Sequence, residues 1–372
     1  IMQTLKGVRH LMTSATMKQA VSEFNMPVPW GEIRGKVWGP DHGRPILCLH
    51  GWADNCGTFN TLIPLLPKEW TCVAVDMAGH GLSSHRPPGV FYSFPAYVAD
   101  IRRVIGALQW KRFSIIGHSM GGNVAGIFSA LYPEMVESVV LLDSYGFLPT
   151  DAKELHTVIR QGFEGMLEFE KKKDEEKEKV YTYENALMRL LAANPSLSEQ
   201  SAHILLERGL SQVEGGVVFT RDFRINLKNV VRDTLPSLHH FTIITEGFEK
   251  MFSEPQQKTF TSTLLQGYKD RSGMVVNVPG DHHVHLNTPE TVAQLVTDFL
   301  QKEAPSHSTV DLSSLSFLHM ALELSNNHST NWTKASSWYS LTINRSSFLL
   351  FSLILVIVSD KSNCLRRQEK KT

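Results

Sequence analysis

The chain has 372 residues, 42% hydrophobic and 20% charged, enough to bury one large core that carries an insertion, or two cores. Lys plus Arg and Asp plus Glu both number 37, so no net charge draws the chain to nucleic acid or to an anionic membrane surface. The 4 cysteines show neither metal-ligand nor disulfide-framework spacing: Cys48 and Cys72 lie inside apolar runs and Cys56 in a loop, which points to a reduced, cytoplasmic protein.

In chain order, residues 1–27 are expected to be a leader outside the fold. The first sixteen or so carry Lys6 and Arg9 and no acid, as a mitochondrial leader would, whereas Met17 would serve as an alternative start. From Val28 the run VPWGEIRGKVWG alternates and carries glycines, which suits a hairpin leading into a core. Pro45 to Leu49 and Cys72 to Val75 are short, wholly apolar strands, as a parallel sheet covered on both faces requires. Between them Phe59, Leu62, Ile63, Leu65 and Leu66 read as a helical face, and Ala96 to Leu108 as another helix.

The stretch Phe113 to Gly122, FSIIGHSMGG, is the pivot of the chain. An apolar run stops at Gly117 and a helical pattern resumes at Val124, Ile127, Phe128 and Leu131, so a strand enters a sharp turn and leaves as a helix. Ser119 stands at the apex between Gly117 and Gly121, the arrangement of a nucleophile elbow. The helix N-terminus then directs its dipole and the amide of Met120 at any oxyanion formed beside Ser119. Another apolar strand, Val139 to Leu142, ends at Asp143.

From Ser144 to about Leu238 the alternation of strand and helix disappears. An insertion of this length is not an ordinary loop, and its charged, helical pattern, with EKKKDEEKEK at Glu170 to Lys179, reads as a helical cap over residues 146–238. The sheet resumes with Phe241 to Ile244 and Met274 to Val278, and Pro289 opens a last amphipathic helix. The expected layout is therefore a core in two parts, 28–145 and 239–303, followed by a low-order tail at 304–372. That tail holds sequons at Asn327, Asn331 and Asn344 and an apolar run from Phe348 to Val358. The uncharged stretch from Ser346 to Ser359 spans about 21 Å as a helix against a bilayer core of about 30 Å, too short to cross comfortably.

Ser119 needs a base, and Gly280 to Leu286 offers His282, His283 and His285 after a strand end. The order serine, acid, histidine along the chain fits the elbow. Three clustered histidines would also read as a metal site, but apart from Asp281 no cysteine or acidic pair stands at ligand spacing, and neither metal nor cofactor is expected. His50-Gly51-Trp52 ends the strand expected beside the elbow strand, so the amide of Trp52 is placed to complete an oxyanion hole with that of Met120. His50, Asp76 and His80 read as loop anchors.

LCLHGWADN, DMAGHGLSSH, GHSMGG, LLDS and PGDHHVHLNTPE resemble the α/β-hydrolase superfamily, and within it the serine hydrolase-like proteins, over about Val28 to Lys302. The resemblance implies a mostly parallel sheet of eight strands, a cap inserted after the sixth strand, and a Ser-His-acid triad. It also leaves perinuclear vesicles or peroxisomes open as a location. In the family the catalytic histidine commonly stands seven residues before the proline that opens the last helix, which from Pro289 points to His282. The acid usual after the seventh strand is missing, since Lys250 occupies its place. Asp143 is then the leading candidate, with Glu249 and Glu246 as alternatives. A serine at the nucleophile position excludes dehalogenase and epoxide-hydrolase chemistry, which needs a carboxylate there. The implied function is acyl transfer from a small-molecule, ester-like substrate, with a thioesterase or a non-catalytic ligand-binding protein on the same fold as rivals.

Overall fold

A computed structural model of the chain describes residues 20–146, 154–175, 179–228, 240–246, 261–262, 265–266 and 273–302. The tail from 303 and the candidate acid Glu249 lie outside the described residues. Strand β1 (Val21–Val28) pairs antiparallel with β2 (Gly31–Trp38) across a Pro29-Trp30 turn. This corrects the expected leader: its last residues are an edge strand of the sheet. Only Met26 of β1 is buried, so the strand carries no apolar period, and its place comes from pairing with the open edge of β2.

The parallel strands follow as β3 (Arg44–Leu49), β4 (Trp70–Val75), β5 (Phe113–His118) and β6 (Val136–Leu142). The stretch expected as a helical face between β3 and β4 forms two 3₁₀ turns, Cys56–Phe59 and Ile63–Leu65. Pro64 and Pro67 remove the amides that a longer helix would need. Helix α1 (Phe94–Leu108) is capped by Ser93, and α2 (Met120–Leu131) follows β5 directly.

The insertion contains α3 (Leu155–Glu175), α4 (Tyr183–Ala193) and α5 (Glu199–Gly209). It is not wholly helical as expected: β7 (Leu210–Val213) and β8 (Gly216–Phe219) form a hairpin turning at Gly215, whose φ is +87°. Strands β9 (His240–Thr245) and β10 (Met274–Val278), the short helix α6 (Val284–Asn287) and α7 (Glu290–Lys302) complete the fold.

Eight strands form one sheet in the order β1-β2-β4-β3-β5-β6-β9-β10, parallel from β4 to β10. The period of 2 along each strand splits the core between the faces. Leu47, Leu49, Ile115 and Leu141 pack with Ile101 of α1 and Phe128 of α2, whereas Ile46, Cys48, Ile116 and Val140 pack with Val292, Val296 and Phe299 of α7. Each such side chain contributes at most about 1.5–3 kcal/mol by burial. The chain leaves β3 toward β4 on one side and returns to β5 on the other, so the carboxyl ends of β3 and β5 flank a topological switch point, where open sheets of this kind place their ligands.

Candidate active site

Ser119 sits between β5 and α2 with φ 50° and ψ −117°, a strained conformation for a residue with a Cβ, costing about 1–3 kcal/mol. Both neighbouring glycines are forced by close approach. A Cβ on Gly121 would stand 2.1 Å from the Leu49 carbonyl oxygen, and one on Gly117 would stand 2.6 Å from that of Gly121. The start of α2 is thus pressed onto the end of β3. The backbone amide of Ser119 donates to the Leu142 carbonyl at 3.1 Å, which ties the turn to β6.

One residue beyond that carbonyl, Asp143 also has a positive φ, 49°. Its amide donates to the Ile243 carbonyl at 2.8 Å, and its Oδ1 accepts from the Thr245 amide at 2.7 Å. Asp143 is fully buried. Burial raises its carboxyl above the ordinary aspartate range, opposed by its hydrogen bonds to His282 and Thr245. Among the described residues, non-glycine positive φ values occur at Ala53, Gln109, Ser119 and Asp143. Gln109 is the cap of α1. The other three border this site.

His282, in the loop after β10, joins the two strained residues. Its Nδ1 lies 2.7 Å from Asp143 Oδ2 and its Nε2 lies 3.0 Å from Ser119 Oγ. A carboxylate only accepts, so Nδ1 carries the proton and Nε2 presents a lone pair to the Ser119 hydroxyl. The imidazole is 24% exposed. It is therefore His282, rather than His283 or His285, that faces Ser119. Of the other candidate acids, Glu246 is exposed at the end of β9.

The loop after β3 wraps the same turn. A Cβ on Gly51 would stand 2.8 Å from Nδ1 of His118, so Trp52 directly follows a residue packed against the elbow. The Trp52 ring is half exposed and its Nε1 donates to the Ile225 carbonyl at 3.2 Å. Met120 opens α2, and the amides of a helix's first turn have no intrahelical acceptor. His50 Nε2 accepts from the Met77 amide at 2.9 Å, and Asp76 accepts from the amides of Cys56 and Leu82. His80 is buried with its Nδ1 on the Ala78 carbonyl.

Sequence reasoning missed a second layer. His118, the residue before Ser119, donates from Nε2 to the His282 carbonyl at 2.8 Å and so holds the backbone of the facing loop. Burial and the surrounding imidazoles keep His118 neutral, well below the ordinary histidine pKa. His283 Nε2 meets Asp54 Oδ2 at 3.2 Å. Burial works against charge on both, yet their mutual attraction outweighs it: the His283 pKa is raised and that of Asp54 lowered. His285 Nε2 pairs with Thr58 Oγ1 at 2.9 Å. His283 and His285 are visible in the sequence as candidate bases, but their partners Asp54 and Thr58, and the His118 contact, join residues far apart in the chain. Among the described residues no group of three histidine, cysteine or acidic side chains is arranged to hold a metal ion.

Fold and site together define an α/β-hydrolase. A family model described as the alpha/beta hydrolase fold matches residues 44–180. A serine hydrolase-like protein of Danio rerio is 57% identical, over 81% of this chain and 95% of its own length. Serine hydrolase-like protein 2 of Homo sapiens is 39% identical, over 76% of this chain and 94% of its own. Among solved structures, a hypothetical protein from Pseudomonas aeruginosa is similar with a TM-score of 0.66 and 28% identity, covering 75% of this chain and 99% of its own. The chain belongs to the serine hydrolase-like proteins of the α/β-hydrolase family.

Proposed function

We propose that this protein is a serine hydrolase that cleaves an ester-like bond of a small molecule through an acyl-enzyme on Ser119. The observation that carries the reading is the hydrogen-bonded line Asp143–His282–Ser119, with links of 2.7 and 3.0 Å. In this reading Ser119 Oγ attacks the acyl carbon while His282 Nε2 takes its proton as general base. Asp143 holds the Nδ1 proton, fixes the tautomer and stabilises the imidazolium. The amides of Trp52 and Met120 receive the oxyanion, and the α2 dipole adds to them. The tetrahedral intermediate collapses as His282 returns the proton to the leaving alcohol. Water, deprotonated by the same imidazole, then releases the acid and restores Ser119.

The insertion serves here as a cap that selects substrates. Buried free thiols at Cys48, Cys56 and Cys72 support a reducing, cytoplasmic setting, and no helix among the described residues is long and apolar enough to cross a membrane. A fluorophosphonate probe tests the assignment: the wild type is expected to label, and Ser119→Ala and His282→Ala to label weakly or not at all. Labelling of Ser119→Ala at the wild-type rate would overturn it.

A further inference from the structure

The insertion contributes three arginines near the core, and they are treated very differently. Arg208 donates to Asp76 Oδ2 at 2.8 and 3.0 Å and to the Glu23 carboxylate. Arg224 donates to Asp222 and to the carbonyls of Arg86, Pro87 and Val90. Arg221, between them, has neither kind of partner among the described residues. Its Nε is buried without an acceptor, and among the described residues no carboxylate pairs with it. What it does contact is apolar: its guanidinium lies 5.7 Å from the centroid of the Phe219 ring.

Arg221 is partly buried and rests on the Phe219 ring as a cation–π pair, but that contact leaves its buried Nε without an acceptor, which packing alone does not call for. Arg221 lines a small cavity with Ala53 and Asp54 on the core side and Leu190, Leu205 and Phe219 on the insertion side. Asp54 does not neutralise it, since that carboxylate is engaged by His283 at 3.2 Å. Burial and the like charge of Arg189 both act against the Arg221 cation, with Asp54 only partly opposing them. The cavity wall at Asp54 lies two residues from Trp52, so the two Cα atoms are at most about 7 Å apart.

We infer that Arg221 receives an anionic group, a carboxylate or a phosphate, of the molecule whose acyl group Ser119 takes. The inference rests on the hydrolase reading for its choice of substrate, and a binding measurement separates the two. Ser119→Ala protein is titrated by calorimetry with succinate and, in a second arm, with inorganic phosphate. Saturable binding in one arm, lost when Arg221→Met is added, is the expected result, and the arm that binds tells carboxylate from phosphate. Binding in neither arm, or binding that survives Arg221→Met, overturns the inference whatever the fate of the hydrolase reading.

In the active protein, the kcat/KM for mono-4-nitrophenyl succinate relative to 4-nitrophenyl butyrate should fall at least tenfold in Arg221→Met, mainly through KM. Arg221→Lys should recover part of that preference. An unchanged ratio overturns the inference. Stability supplies a readout that a structural arginine would move the other way. Without ligand, Arg221→Met should melt at or above the wild-type temperature, because it removes a cation whose buried Nε has no acceptor and keeps an apolar side chain on the Phe219 ring. A drop of several degrees would show that Arg221 is there for packing, and would also overturn the inference.

Discussion

The sheet and the insertion are held by different forces, and under the proposed function that difference separates where chemistry would be placed from where selection would act. In the sheet, β3, β5 and β6 bury nearly every side chain on both faces, and Ser119 and Asp143 are clamped at positive φ by hydrogen bonds to β6 and β9. Such packing stores strain and keeps Ser119, His282 and Asp143 aligned. The insertion instead leaves Ile159, Phe163, Leu167 and Met188 exposed and fastens to the core through polar anchors. These are Arg208 on Asp76, Asn55 on the Leu205 carbonyl, Tyr92 on Asp222 and Trp52 on the Ile225 carbonyl. The insertion's apolar cluster, Leu197, Ala202 and Leu205 on Leu286, is smaller than either cluster of the sheet, and a smaller buried core marks the part that opens at lower free energy.

The largest effect should come from the rigid side. Asp143→Asn keeps an oxygen for the Thr245 amide but favours the wrong His282 tautomer, so the turnover number should fall roughly 10⁴-fold. The melting temperature should change little, because the wild-type carboxylate already bears the cost of burial. Loss of stability without loss of rate would make Asp143 a loop anchor instead.

Next, Arg208→Met breaks the principal anchor of the insertion. It leaves the fully buried Asp76 without its cation, and a loss of about 3–5 kcal/mol in denaturant unfolding is expected. A change under 1 kcal/mol would show that the insertion is held by something other than this pair.

A third effect concerns the buried imidazoles of the core. Burial lowers His80 and His285 from 6.5 to about 3. Below pH 6.5 the unfolded chain binds a proton at each that the folded chain refuses, so stability falls as pH falls. Each should remove about 1.4 kcal/mol per pH unit between roughly pH 6 and 3.5. The contribution is complete above pH 6.5 and stops falling only once the folded imidazoles protonate. Urea unfolding at pH 7, 6 and 5 checks this, and stability that stays flat over that range would contradict it.

The smallest effect belongs to the exposed apolar residues of α3. Phe163→Ser or Leu167→Ser should shift stability by no more than about 0.5 kcal/mol. A larger loss would show that this face of α3 is covered.

What could be read beforehand follows the same division. The elbow was legible because a wholly apolar strand, a glycine-flanked serine and a helical period are all local features. The position of His282 came through its spacing to Pro289, a regularity of the family and not of physics. Edge strand β1 was missed because it buries only Met26, and the β7–β8 hairpin because a few residues at a strand period are lost within a helical surround. Asp54, His118 and Arg221 escaped notice because their environments are assembled from distant parts of the chain. His118 meets a carbonyl 164 residues away, and Asp54 pairs with an imidazole 229 residues away. No window along the sequence contains both members of either pair.

The central claim is that Ser119 becomes acylated, and intact-mass spectrometry after an acid quench reads this directly. During turnover of 4-nitrophenyl acetate, wild-type protein should gain the mass of one acetyl group, which peptide mapping should assign to Ser119. Asp143→Asn should accumulate it more slowly, and Ser119→Ala should stay unmodified. Release of nitrophenol by Ser119→Ala at the wild-type rate, or an acetyl group found on another residue alone, would contradict the account.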